Sequence, residues 1–270
     1  MFSSAIVVFR EVLEAALIIG IIAAALVGVR HRGRWIACGV TLGVAGACLV
    51  AMFAGVIGEW AQGVGQELFN AAILMLAVLM LAWHNIWMAR HGREMASRAS
   101  RMGQAVQTGS EPVTVLLAVI GMAVLREGSE VVLFLYGIFA QGGTTLASMM
   151  GGALLGLLAG VLVGVGLYAG LLRIPLRWFF NVTAGLVLLL TAGMAGQAAR
   201  FLIQAGWLPA LADPLWDSSG LISADSALGT ALHALAGYDA EPTGMHVLVY
   251  GATLGIVLVG MRLAAPRPYR

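Results

Sequence analysis

Apolar stretches recur along the chain at lengths that suit a lipid bilayer. Uncharged runs occupy 35–57, 68–89, 144–172, 178–199 and 243–261, each close to the ~20 residues a spanning helix needs. Two further runs, 2–29 and 112–140, are as apolar except for one cluster of charge inside each. Counting both predicts seven transmembrane helices, joined by short connections apart from 90–111 and 201–242. The expected fold is an all-α integral membrane protein with a single membrane domain.

The pattern repeats. Arg10-Glu11-Val12-Leu13-Glu14 in the first helix returns as Arg126-Glu127-Gly128-Ser129-Glu130 in the fourth, 116 positions later. Leu68-Phe69-Asn70-Ala71 in the third helix resembles Phe179-Phe180-Asn181-Val182 in the sixth. The second and fifth helices are both glycine-rich, with Gly39 and Gly43 in one and Gly152, Gly156, Gly160 and Gly164 in the other. Glycine at four-residue spacing lets helices approach closely, so these stripes read as packing surfaces. Three helices is an odd number, so the second unit enters the membrane from the opposite face. An inverted 3+3 repeat follows, with its site expected near the midplane between the halves. The expected units are 1–111 and 112–205 as the two repeats, 206–242 as an acidic outer loop, and 243–270 as the seventh helix with a basic tail.

Composition and charge add an orientation. Of 270 residues, 60% are hydrophobic and 10% charged, whereas soluble domains carry about 25% charged residues; the mean hydropathy is +0.94. All fifteen basic residues are arginine. Arg30, Arg32, Arg34, Arg90, Arg93, Arg98, Arg101, Arg173, Arg177, Arg262, Arg267 and Arg270 fall on one side of a seven-helix layout, and the other side has only Arg200 at a helix end. Basic loops stay cytoplasmic, which puts the N-terminus outside and the C-terminus inside. The opening segment lacks a basic lead and a small-residue cleavage site before Arg30, so it reads as a retained span rather than a signal peptide. Loop 201–242 carries Asp213, Asp217, Asp225, Asp239 and Glu241 without a basic residue. Such a mouth concentrates cations, although acids left in water by the topology rule would look the same. Cys38 and Cys48 read as small hydrophobes. Residues 221–236 suit a short helix over the entrance, with Ser223 or Asp225 near its start.

The two charged clusters carry the chemistry. An ionised side chain in hydrocarbon costs ~2.5–3.5 kcal/mol or more, so six at matched positions call for a function. Each residue of a helix advances ~100°, and residues three and four apart share a face. Arg10, Glu11 and Glu14 therefore converge, as do Arg126, Glu127 and Glu130. Across both motifs the acids outnumber the bases two to one, leaving a net charge of −2. Either a cation binds or protons do, and carboxylate oxygens suit hard cations. A salt-bridged staple would instead balance its charges, and buried ion pairs stabilise poorly. His84, His233 and His246 read as interfacial or hydrogen-bonded residues near helix ends. Arg200 either reaches the headgroups or pairs with Glu67.

Duplicated R-E-x-x-E motifs in the first and fourth of seven helices resemble the oxidase-dependent iron permease family, also called the iron/lead transporters. The likeness extends to Glu67-Leu68-Phe69, Trp87-Met88, Gln197-Ala198-Ala199-Arg200-Phe201, Leu215-Trp216-Asp217-Ser218-Ser219 and Gly237-Tyr238. Asn70 departs from it, since relatives often carry a second acid there. The resemblance implies a high-affinity permease of the cytoplasmic membrane that imports iron, as Fe3+ by this reading. Glu11, Glu14, Glu127 and Glu130 would carry the ion, supported by Arg10 and Arg126, with Glu67, Asp217 and Asp225 as outer capture residues. It also implies an extracytoplasmic oxidase or iron-binding protein as partner, with the lipid bilayer as surroundings. Iron is substrate, no cofactor is permanently bound, and no nucleic-acid partner is expected. Another hard cation (Mn2+, Pb2+ or H+) is the alternative cargo, and a salt-bridged scaffold or receptor the alternative class. An enzyme is disfavoured: no P-loop, HExxH or CxxC is present. If the orientation is right, a fluorescent protein fused after Arg270 glows, and alkaline phosphatase fused there is inactive. The reverse pattern would invert the topology.

Overall fold

In a computed structural model, helix is the one regular secondary structure among the described residues, which are 1–29, 31–60, 65–141, 144–170, 176–223 and 226–264. Seven long helices are α1 (Phe2–Ala25), α2 (Arg32–Trp60), α3 (Gln66–Gln107), α4 (Val115–Ala140), α5 (Leu146–Tyr168), α6 (Leu176–Gln204) and α8 (Gly244–Ala264), with the short α7 (Ala227–Ala236) before the last. Asp225, Arg30, Arg173, Arg267 and Arg270 lie outside the described residues. The chain is thus an all-α integral membrane protein. Stretches of α2, α3, α5, α6 and α8 are long and apolar enough to cross a bilayer. α1 and α4 are interrupted by their charged motifs.

The helices pair in a pattern that survives exchange of the two halves. α1 lies along α5 and α2 along α4, while α3 packs on α6 and α1 meets α4. Replacing α1 by α4 and α2 by α5 turns the first contact into the second. Glycine makes these approaches possible. A Cβ on Gly156 would collide with the Ala5 carbonyl and stand 2.9 Å from the Phe9 nitrogen; one on Gly160 would lie 2.8 Å from Val12 Cγ1. The matching stripe on α2 meets α4: a Cβ on Gly43 would fall 2.6 Å from Val124 Cβ, and one on Gly39 3.0 Å from Ile120 Cβ. Both motif helices are therefore gripped by a glycine face, the packing role expected of the stripes.

The perimeter is apolar. Leu42, Leu49 and Phe53 of α2, Leu154, Leu158 and Leu162 of α5, and Leu248, Ile256 and Leu263 of α8 are exposed. Such a belt suits acyl chains rather than water. Inside it, Val7, Leu74, Leu81, Phe134, Ile138, Leu190 and Met194 form one buried cluster, and Ile22, Leu26, Ala99, Val106, Leu116 and Ile120 a second.

The second cluster explains a difference from the expected layout. The 90–111 connection is largely helix, because α3 runs on to Gln107. Its alanines, arginines and methionines are strong helix formers, and Ala99 and Val106 bury against the ends of α1 and α4. Gln107 Nε2 donates to the Val27 carbonyl at 3.0 Å, tying the extension down. The short outer helix starts later than expected, at Ala227, where the Ser226 hydroxyl accepts from the Gly229 N–H at 2.9 Å.

Replacing Gly156 with alanine should lower the stability of the detergent-solubilised protein by ~1–3 kcal/mol, the usual cost of overpacking. Gly151, whose added Cβ meets nothing within 4 Å, should tolerate alanine. Thermal unfolding of the two variants makes the comparison.

Candidate metal-transport site

α1 and α4 each bring one motif to the centre of the bundle, and the motifs have the same internal geometry. Arg10 Nε donates to Glu14 Oε1 at 3.1 Å, and Arg126 Nε to Glu130 Oε1 at 3.1 Å. Arg10 Nη1 stands 3.8 Å from Glu11 Oε1, and Arg126 Nε 3.9 Å from Glu127 Oε1. Helical spacing sets these pairs, because i and i+4 meet on one face.

Tertiary packing then joins the two sets. One oxygen from each of Glu11, Glu127 and Glu130 lies within 4.8 Å of the others, so the three residues span both motifs. Glu11, Glu14 and His84 form a second group on the same criterion. All four motif glutamates thus share one site, while Glu67 is exposed in the first turn of α3 and stands outside both groups.

His84 is the residue that sequence reasoning passed over. It comes from α3, is only 3% exposed, and lies between the motifs. Its Nδ1 forms a close ion-pair contact with Glu130 Oε2, and its Nε2 is 3.6 Å from Glu14 Oε2 and 4.0 Å from Glu11 Oε2. A histidine inside an apolar span was the available signal, but the charged motifs alone gave no reason to place α3 against them.

Hydrogen bonding inside the site is incomplete on both sides, with Arg10 Nη1 and Asn85 Nδ2 unpartnered as well as several carboxylate oxygens. Both Glu11 oxygens and Glu127 Oε2 are buried and accept no hydrogen bond. Buried polar atoms normally find partners, and leaving a charged one unpaired is costly. Four carboxylates thus stand against two guanidinium groups and one imidazole.

The arginines differ in setting. Arg10 is 3% exposed and Arg126 38%. Arg126 Cζ sits 4.4 Å from the Trp87 ring centroid, and Trp87 stacks on His91 at 5.0 Å. Beyond them opens a cavity of about 560 Å3 between α1, α3 and α4, lined in part by Ile18, His91, Glu94, Arg98 and Arg126. The motif cluster therefore borders a hollow on the Arg126 side.

At the other end, the segment after α6 folds back into the bundle. Gly237 adopts φ +67°, and its backbone presses on α6 at Gly193, where an added Cβ would fall 2.6 Å from Gly237 Cα. Gly193 is eleven residues before Gln204, about 16 Å along the helix axis. Irregular backbone at such depth is tolerated where protein surrounds it. Tyr238 Oη bonds Ser218 Oγ at 2.7 Å and donates to the Ile222 carbonyl at 3.0 Å. His233 Nδ1 lies 2.8 Å from the Tyr238 carbonyl oxygen, and Arg200 pairs with Asp239 rather than with Glu67. His246 packs over Gly196 of α6. Asp217 is exposed; its carboxylate accepts from the Ser219 N–H at 2.8 Å and from Ser219 Oγ at 2.6 Å. Those bonds hold its carboxyl below the usual range, and they make Asp217 part of an exposed turn outside both carboxylate groups.

A profile of the Iron permease FTR1 family matches residues 1–265. The chain belongs to that family. The ferrous iron permease EfeU of Yersinia pestis is 34% identical over 256 residues, covering 93% of this chain and 89% of that protein. EfeU of Escherichia coli O157:H7 is 33% identical over 269 residues, covering 97% and 96%, as is that of Shigella sonnei. No solved structure matches this chain. Family and apolar helices together make this a multi-pass protein of the inner membrane, of a permease class rather than an enzyme class.

The Arg200–Asp239 pair should tie the inward-folded segment to α6. In a double-mutant cycle with R200A and D239A, the coupling should be ~0.5–1 kcal/mol, modest because Arg200 remains partly in water. Additive losses in thermal stability would mean that the pair holds nothing.

Proposed function

We propose that this chain imports iron across the cytoplasmic membrane, with Glu11, Glu14, Glu127 and Glu130 as the ligands through which the ion passes. The carrying observation is the meeting of both motifs' carboxylates in one buried pocket, where both Glu11 oxygens and Glu127 Oε2 are left without a hydrogen bond. Family membership and relatives named ferrous iron permeases supply the cargo. The carboxylates alone pointed only to a hard cation and the family resemblance implied Fe3+; the relatives' names favour Fe2+ as the form delivered. Carboxylates serve either ion and do not separate iron from Mn2+ or Pb2+, so competing metals belong in the assay.

The exchange of packing partners between halves supports an inverted repeat of 1–111 and 112–205, followed by a seventh span. The arginine distribution supports an N-terminus outside and a C-terminus inside. In that orientation the ion enters past the inward-folded segment, meets the glutamates, and leaves by the cavity beside Arg126. Arg10 and Arg126 hold Glu14 and Glu130 in place until the ion competes for their oxygens. Entry of a divalent cation gains roughly 4.6 kcal/mol per 100 mV of membrane potential, which drives uptake without nucleotide hydrolysis. The acidic loop gathers cations at the mouth, with Asp217 and Glu67 in peripheral roles, and an extracytoplasmic oxidase or iron-binding protein hands over the metal.

Uptake of radioactive iron into proteoliposomes tests this. E14Q and E130Q should each cut uptake roughly tenfold or more, since even changes one shell from a metal commonly cost 10–100-fold. E67Q and D217N should retain most of it. Full activity in E14Q and E130Q, with normal insertion, would favour a salt-bridged scaffold instead.

A further inference from the structure

His84 belongs to neither motif, yet it touches both. It projects from α3, with Nδ1 against Glu130 of the second motif and Nε2 facing Glu14 and Glu11 of the first. Neither ring nitrogen makes a hydrogen bond to the backbone. A histidine kept for packing commonly anchors one nitrogen on a carbonyl; this one presents both to carboxylates. Glu11, beside it, is completely buried with both oxygens lacking a hydrogen bond, so the imidazole stands in a set of atoms that still need a partner.

The spacing suits ligation. The donor atoms of Glu11, Glu14 and His84 lie within 4.8 Å of one another. Around an ion with bonds of ~2.1 Å, opposite ligands stand at most ~4.2 Å apart, so a contraction of roughly half an ångström closes the set.

We propose that His84 is itself a ligand of the transported ion: the one nitrogen donor of the pocket, joining the two motifs and selecting a transition metal over Mg2+ and Ca2+. The proposal deepens the transport reading and rests on it. Oxygen ligands alone suit Mg2+, Ca2+ and Mn2+ as well as iron, whereas imidazole favours iron, zinc, copper and nickel. Duplicated carboxylates thus supply charge, and a single imidazole supplies discrimination. The internal repeat has no second copy of it: matching Leu68-Phe69-Asn70-Ala71 with Phe179-Phe180-Asn181-Val182 sets His84 opposite Ala195. A lone nitrogen donor at the junction of the halves breaks the symmetry of the donor set.

Mn2+ is a suitable probe because its bound nitrogen is visible by pulsed electron paramagnetic resonance. Purified wild-type protein loaded with Mn2+ should show coupling to one directly bound imidazole nitrogen, and H84Q should lose it. In proteoliposomes, wild-type iron uptake should resist excess Mg2+ and Ca2+. H84D keeps an oxygen ligand and should transport, but with inhibition by those ions setting in at roughly tenfold lower concentration. If H84Q fails to insert, a chain retaining His84 as its only histidine gives the same spectral answer. Mn2+ bound by oxygen alone in the wild type, or unchanged competition in H84D, overturns the proposal and leaves glutamate-mediated transport standing. No binding of Mn2+ or iron by the wild type would overturn both.

Discussion

An excess of carboxylate held away from water is the constraint around which this protein is organised. Two guanidinium groups and one imidazole face four glutamates at the centre of the bundle. Coulomb repulsion at low effective dielectric is several times what it is in water, so the pocket persists only where opposite charge is fixed beside each acid. The i,i+4 arginines and the imidazole supply part of it, and four acids still face three basic groups. The cation affinity proposed for the site rests on that shortfall.

The rest of the bundle keeps that pocket dry and aligned. α1 and α4 are pressed against α5 and α2 along glycine faces, where a single added methyl would meet a backbone oxygen or a packed side chain. Close backbone approach leaves little room for the motif helices to slip, which holds oxygen atoms on opposite helices within bonding range of one ion. The lipid-facing perimeter is carried mainly by exposed leucines of α2, α5 and α8, joined by Leu79 and Trp83 of α3 and Met122 of α4.

The two ends of the pocket are built differently although the motifs are copies. Around Arg10 the structure is closed, and around Arg126 it opens on the cavity where Trp87 and His91 stack. The same arginine–glutamate pair therefore occupies a buried and a half-solvated setting at once. Inverted-repeat transporters obtain their two access states by exchanging such settings between halves. Gly193 and Gly237 matter at the closed end, since their contact lets an irregular segment reach deep into the bundle.

Much of this was legible from residue order. Run length and charge placement marked the helices, because a bilayer demands continuous apolar segments and penalises every exception. The penalty also singled out Arg10, Glu11, Glu14 and their copies, and helical periodicity put each trio on one face. The far end of α3 was harder to read, since its 90–107 stretch is polar and its helicity depends on Ala99 and Val106 finding apolar neighbours on α1 and α4. His84 was not legible as a site residue. Nothing in a lone histidine says which helix it will face, and its meaning came from α3 packing beside both motifs. Arg200 shows the same limit: sequence suggested the headgroups or Glu67, and the inward fold of the segment after α7 brought Asp239 to it instead. Local periodicity and the cost of burying charge are properties of a helix alone, whereas ligand sets and ion pairs between distant segments exist only once helices have chosen their neighbours.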